Sequence, residues 1–236
     1  LGLTPNLSTI SWGKDIPKLS YYYPANLLFY WDGSNLINSA NTSMIGTANG
    51  GLLVGNNASV GHKIDSNSTS FDGVDDYINV NDNNLFNNYN SLTVSFWSKT
   101  KNYAQGQDVV SKGNNYGGIS QFIMGYLGSR FYLAVHDADA TGTQIFTNSV
   151  TTDNNVWSHW VGTWDGSNVR LYKNGGLVAE STATAFSNLG ALNNIVSIGA
   201  ESWDQGQPFN GIIDEVAIWN RALSDAEVSN LYNSYL

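Results

Sequence analysis

Carboxylates, histidines and loop aromatics are the side chains of this sequence whose types could do chemistry, so their spacing is read first. Cleavage of a glycosidic bond needs two carboxylates held about 5–10 Å apart. On a strand, two side chains share a face only at even spacing. The glutamates are Glu180, Glu201, Glu215 and Glu227, and none has Asp or Glu two residues on. Asp75/Asp76 and Asp214/Glu215 are adjacent, so in a strand each pair points to opposite faces. Asp137 and Asp139 have the right spacing, but they sit in a Gly-flanked loop that suits water or a cation. His62 and His136 are isolated, and His159, in a Trp-rich stretch, reads as a histidine packed in a sheet. No serine lies in a Gly-x-Ser-x-Gly elbow. There are no cysteines, hence no disulfide framework, no Cys-ligated metal and no thiol nucleophile. A non-enzyme is expected, and only a carboxylate pair assembled from distant strands would make a glycan-cleaving enzyme.

Sugar binding needs an aromatic plate with amide and carboxylate partners for hydroxyls. Trp31, Trp97, Trp157, Trp160, Trp164 and Trp219 fall in expected strands and read as core. Trp203 differs. It sits in the polar loop Ala200-Glu-Ser-Trp-Asp-Gln-Gly-Gln-Pro208, beside Asp204 and Gln205. It is either an anchor folded onto the core or an exposed platform. A second candidate loop, Lys112-Gly-Asn-Asn-Tyr-Gly-Gly118, offers Asn115 and Tyr116.

The elements that must position these residues are short. Across 236 residues, 12% are charged and 13% aromatic; asparagine is very abundant, at about thirty, and glycines number 24. A chain of this length suits one large all-β domain or two small ones. The formal net charge is −9, and the ten basic residues form no stripe, which argues against nucleic acid. An acidic chain does suit hard cations and neutral polar ligands. No apolar run approaches the ~20 residues of a membrane span, so membrane insertion is not expected. The start has neither the basic head nor the apolar core of a signal. With no Met at its start, the chain is expected to be a processed or excised piece of a longer protein.

Ser91–Ser98, Arg130–His136 and Asn194–Gly199 alternate like half-buried strands. His159–Trp164, Val169–Tyr172 and Leu177–Glu180 form an antiparallel meander, turning at Asp165-Gly and Asn174-Gly. Ser224-Asp-Ala-Glu227 is a capping box, with Leu223 and Val228 at its staple positions and a helix beyond. Residues 1–26, punctuated by Pro5, Pro17 and Pro24, read as an arm or linker before the first strand, Leu27–Trp31. Residues 27–236 read as one β-sandwich domain.

Three ordered segments carry a family resemblance: Phe71-Asp-Gly-Val-Asp-Asp-Tyr-Ile-Asn-Val80, Trp157 to Ala179, and Gly211-Ile-Ile-Asp-Glu-Val to Val228. Together they resemble the laminin G-like, concanavalin A-like lectin/glucanase superfamily. The resemblance implies an all-β jelly roll of two antiparallel sheets, one concave and one convex, with a short C-terminal helix. Glucanases of that superfamily carry a Glu-x-Asp-x-x-Glu cluster, which is absent here. The resemblance also implies a structural calcium. Its ligands would be Asp214 of the last strand and Asp32 near the N-terminal strand, with Asp72 a further candidate and carbonyls from Gly55-Asn56-Asn57. The competing reading gives Asp32 and Asp72 to turns before Gly and pairs Asp214 with Arg221.

The expected function is a non-catalytic recognition or adhesion module, carbohydrate-binding first. It would act on a secreted, cell-surface or virion protein, against a glycan or glycoprotein surface. A structural or protein-interaction module of a larger surface assembly, contacting that assembly's other domains, is the alternative.

Overall fold

The structure is a computed structural model describing residues 26–32, 46–55, 68–81, 84–113, 120–137, 139–151, 153–183, 186, 188–191 and 194–236. In chain order the strands among them are β1 (Leu27–Trp31), β2 (Gly46–Asn49), β3 (Thr69–Asp72), β4 (Tyr77–Val80), β5 (Leu92–Thr100), β6 (Gln107–Gly113) and β7 (Ser120–Leu127). They continue as β8 (Arg130–His136), β9 (Gly142–Ser149), β10 (Ser158–Trp164), β11 (Asn168–Lys173), β12 (Gly176–Thr182), β13 (Val196–Ile198) and β14 (Asn210–Trp219); the helix α1 (Asp225–Ser234) follows.

The strands build two antiparallel sheets. Sheet I has the order β1-β14-β5-β10-β11-β12, with β3 sharing the β1 edge of β14; sheet II has the order β2-β4-β13-β6-β7-β8-β9. This is the jelly-roll sandwich expected. The core lies between the sheets, because alternate residues of each strand point inward. Phe96, Trp160, Trp164 and Ile213 of sheet I meet Phe122, Met124, Phe131 and Ile198 of sheet II, and Phe131 stacks on Trp160 at 3.8 Å.

The meander forms because its turns are specified locally. Asp165 Oδ1 accepts the Ser167 and Asn168 amides at 2.9 and 2.7 Å, and Asn174 takes φ 51° ahead of Gly175. The capping box is also present: Ser224 Oγ accepts the Glu227 amide while Glu227 Oε2 accepts the Ser224 amide. Leu223, Val228, Leu231 and Tyr235 then lay α1 against Tyr30, Trp97, Val161, Tyr172 and Trp219 on the outer face of sheet I. Trp31, Trp97, Trp160, Trp164 and Trp219 are buried as expected, and Trp157 is half-buried.

His159 is fully buried under that helix, 5.1 Å from Trp97 and 5.3 Å from Tyr235 between ring centres. Burial pushes its pKa down to about 3, so it is the neutral packed histidine expected. Arg221 corrects one expected pairing: its guanidinium meets Glu227 at 2.8 Å, so the last strand and the helix cap are tied together. Asp214 and Glu215 correct another. The register jumps from Asp214↔Trp97 to Ala217↔Ser95, and Glu215 has φ 55°. That bulge breaks the alternation. Glu215 accepts the Tyr30 hydroxyl and, with Asp214, places its charge toward Tyr235 on the helix side of the sheet.

Candidate functional site

The outer face of sheet II carries the candidate site, and a missing side chain assembles it. Asp108 pairs with Gly125, Gly125 with Tyr132 and Tyr132 with Phe146, so these four residues form one row across β6, β7, β8 and β9. Gly125 leaves the row open at its second place. A Cβ there would meet Gln107 O at 2.3 Å and Asp108 Oδ1 at 2.7 Å. Through that gap the Tyr132 hydroxyl donates to Asp108 Oδ1 at 2.5 Å. Asp108 is fully buried and its Oδ2 has no hydrogen-bond partner. Burial pushes its carboxyl up to about 8; the Tyr132 hydrogen bond pulls the other way, and the charges of Glu201 and Asp204 push it further up.

The loop between β13 and β14 closes over this row. Its backbone is held at both ends, with the Glu201 amide donating to Gly206 O at 3.0 Å and the Asp108 amide donating to Gln207 O at 2.9 Å. Inside the loop, Asp204 Oδ1 accepts the Gly206 amide at 2.9 Å, and the Gln207 side-chain amide donates to Glu201. Burial raises the Glu201 carboxyl to about 7; Gln207 opposes the shift, while a hydrogen bond to Asp204 and that group's charge add to it. A Cβ at Gly206 would meet Glu201 Oε2 at 2.6 Å and Asp204 Oδ1 at 3.0 Å, so both carboxyls flank the same glycine.

Trp203 is half-buried and packs against the patch made by Ile123, Tyr132 and Ala134, beside Phe146. It is therefore an anchor of its loop and part of the surface at once, which joins the two readings the sequence left open. Arg130 lies over the Phe146 ring at 4.1 Å, at the β9 end of the patch. A second row, Thr47, Asn79, Ser197 and Ser111, runs beside the first and ends in Ile123, Ala134 and Gln144. Ser197 Oγ and Asn79 Oδ1 in it lack partners.

Of the sequence candidates, Trp203, Asp204 and Gln205 lie together on this loop, Gln205 at a left-handed corner with φ 60°. Asn115 and Tyr116, like the 1–25 arm, Asn56, Asn57 and His62, fall outside the described residues. Asp108, Tyr132 and Glu201 were missed as site members. Asp108 and Tyr132 come together only through strand pairing, with the Gly125 gap as the local signal, whereas Glu201 stands in the Trp203 loop itself.

Of the three acids expected around one calcium, Asp72 stands apart from Asp32 and Asp214. Asp72 pairs with Asn210, four residues along β14 from Asp214, a separation of about 13 Å at strand rise. Asp32 follows Trp31, which pairs with Val216, so along antiparallel β1 and β14 it lies toward the Asp214–Glu215 bulge and away from Asp72. Asp72 instead joins Asp75 and Asp76, whose carboxylate oxygens all lie within 4.8 Å of one another. These two adjacent acids share a site because they stand in a turn, contrary to the strand reading. Asp72 Oδ1 accepts the Val74 amide at 2.8 Å and Asp76 Oδ2 accepts the Asp72 amide at 3.0 Å. Burial raises the Asp76 carboxyl, partly offset by that amide. An all-carboxylate set of this kind fits a hard cation. Asp137 closes its own loop, accepting the Asp139 and Thr141 amides at 2.9 and 2.8 Å.

Two packed antiparallel sheets with an aromatic and carboxyl-lined outer face define a lectin-like jelly roll. The model of the concanavalin A-like lectin/glucanases superfamily matches residues 71–229, well over half of the sequence, and the chain belongs to that family. No curated protein sequence matches it. Among solved structures it is similar to the binding domain of Paraclostridial Mosquitocidal Protein 1, at 20% identity and TM-score 0.69, covering 89% of this chain and 52% of that one. It is also similar to the receptor binding domain of botulinum neurotoxin C/D mosaic serotype, at 16% identity and TM-score 0.68, covering 89% and 51%. A third is botulinum neurotoxin type C, whose cell entry is dependent upon interaction with two ganglioside molecules; here the identity is 14% and the TM-score 0.67, with 89% and 51% covered. Identities this low carry the fold alone, and this chain spans about half the length of those solved chains. No described helix is long and apolar enough to cross a membrane.

Proposed function

We propose that the chain is a non-catalytic carbohydrate-recognition module of a secreted or surface-exposed protein, and that it binds through the outer face of sheet II around Trp203. The observation that carries this reading is the indole packed beside Tyr132 and Phe146, with Asp204, Glu201 and Gln207 on the same loop. A half-buried ring offers a pyranose an apolar face, and neighbouring carboxyl and amide groups take its hydroxyls. The similar structures include a toxin binding domain and a toxin whose cell entry depends on interaction with two ganglioside molecules, which supports a recognition role. A structural calcium belongs to the same proposal, with Asp72, Asp75 and Asp76 as the residues to hold it. Cleavage is not part of the proposal. A glycan array run with and without calcium is the test. Retention of defined glycans is expected, and a blank array in both conditions overturns the reading.

A further inference from the structure

His159 and Tyr235 meet beneath the end of α1, and each buries a polar atom that nothing satisfies. His159 Nε2 lies 2.9 Å from Ser95 Oγ, but Nδ1 is buried without a partner, and so is the Tyr235 hydroxyl. The imidazole stands on β10, an interior strand of sheet I, and the helix supplies its cover. The rings of Tyr235 and Tyr232 lie 5.3 and 6.0 Å from it, with Trp97 at 5.1 Å on the sheet side. We infer that the last turn of α1 is an acid-released latch, in which protonation of His159 lifts Tyr232 and Tyr235 off the outer face of sheet I.

The two ends of α1 are attached differently. The first turn is tied by polar contacts: the Tyr172 hydroxyl donates to Asp225 Oδ1 at 2.6 Å, the Leu223 amide donates to Thr93 Oγ1 at 2.9 Å, and Arg221 pairs with Glu227 at 2.8 Å. Among the described residues, no hydrogen bond or ion pair joins residues 228–236 to sheet I, and Leu231, Tyr232 and Tyr235 rest there by packing alone. Docking that turn strips water from His159 Nδ1 and the Tyr235 hydroxyl and replaces it at neither. Release returns both to water without unpairing a strand. A protonated ring carries N–H groups on both nitrogens, and nothing in the docked interface accepts the one at Nδ1. The neighbours are Ser95 and Trp97 of β5, Asn174 of the β10–β11 turn, which accepts the His159 amide, and the two tyrosines of α1. The charges of Asp214 and Glu215 act on Tyr235, and Glu215 also accepts the Tyr30 hydroxyl. Burial alone shifts the imidazole, from 6.5 down to about 3, and α1 has no basic residue in its last turn. Docking is therefore fully favoured above about pH 6.5 and weakens as pH falls toward 3. The raised carboxyls of Asp108 and Glu201 act with the opposite sign on the sandwich, so the readout has to be local.

The experiment is hydrogen exchange of the whole chain at pH 7 and pH 5, with rates corrected for the intrinsic pH dependence of exchange. Protection of the amides at 231–235 is expected to fall about tenfold or more at pH 5, while β10 amides keep theirs. His159→Gln cannot titrate in this range, so its last turn should be equally protected at both pH values. Tyr235→Phe removes the unmet hydroxyl and keeps His159. Its last turn should be better protected than the parent's at both pH values, with the pH difference intact, and it decides the matter should His159→Gln fail to fold. Equal protection at both pH values in the parent overturns the inference. So does a loss shared evenly with β10, a pH difference that survives His159→Gln, or one that vanishes in Tyr235→Phe.

Discussion

The Tyr132 hydroxyl reaches Asp108 Oδ1 at 2.5 Å across an intervening strand, because Gly125 between them has no side chain. Two residues 24 apart in sequence thereby make one polar unit on the face of sheet II. The loop bearing Trp203 is bonded to it through the Asp108 amide and Gln207 O.

Gly125→Ala should break that unit. The new methyl would stand 2.3 Å from Gln107 O and 2.7 Å from Asp108 Oδ1, closer than any carbon can sit. Backbone must shift, at about 1–3 kcal/mol for overpacking of this kind. Denaturant unfolding should show the loss. An unchanged midpoint would mean that the row is looser than the distances say.

Asp108 makes stability depend on pH in a direction that can be worked out. Burial holds its folded pKa at about 8, far above the ordinary carboxyl value near 3.9. The folded chain therefore keeps a proton that the unfolded chain releases. That contribution is full below about pH 4 and is lost progressively as pH rises to about 8. Glu201, raised to about 7, acts in the same sense more weakly because it is half-exposed. Stability should fall between about pH 5 and pH 8. Asp108→Asn, which still accepts from Tyr132 and cannot ionise, should flatten that fall. Unfolding midpoints measured at both pH values decide it, and an equal slope in the variant removes Asp108 as the cause.

The meander and the helix were legible in the sequence because their determinants are local. Asp165 and Asn174 turn the chain within four residues, and Ser224 and Glu227 cap α1 within one turn. β6 was not legible. Gln107-Asp-Val-Val-Ser-Lys-Gly113 does not alternate, since bulges beside Asp108 and Lys112 bury Val109 and Val110 together. Asp214 and Glu215 misled for the same reason, because a bulge turned neighbours that should diverge onto one face. Of the site, the Trp203 loop could be picked out by composition. Asp108 could not, because its meaning depends on Gly125 and Tyr132, which only strand register brings beside it.

Calcium should raise the melting temperature if Asp72, Asp75 and Asp76 hold it in the folded chain alone. A ligand at a hundredfold excess over its Kd stabilises by about 2.7 kcal/mol. For a chain of this size that corresponds to roughly 5–10 °C. Asp76→Asn should remove the response and Asp214→Asn should leave it intact, since Asp214 lies away from the trio. Identical melts in EDTA and in calcium, after exhaustive removal of bound metal, would eliminate the site.

Trp203 should matter twice, once for its loop and once for its ligand. The ring covers Ile123, Tyr132 and Ala134 on one side and is only half-buried, so truncation removes part of a packed aromatic rather than a core one. Trp203→Ala is expected to cost about 1–3 kcal/mol of stability, below the ~3–5 kcal/mol of a fully buried ring. Glycan affinity should fall by about tenfold or more, the range for losing a central aromatic contact. Trp203→Phe separates the two effects. It restores most of the packing on the patch of Ile123, Tyr132 and Ala134 but offers a sugar a smaller plate, so the melt should recover further than the affinity. Both quantities are read on the same samples, with affinity expressed per folded molecule. Recovery of the melt with affinity still depressed places the indole in the binding face. A melt that falls in the alanine variant while affinity per folded molecule stays constant would leave Trp203 as a loop anchor only.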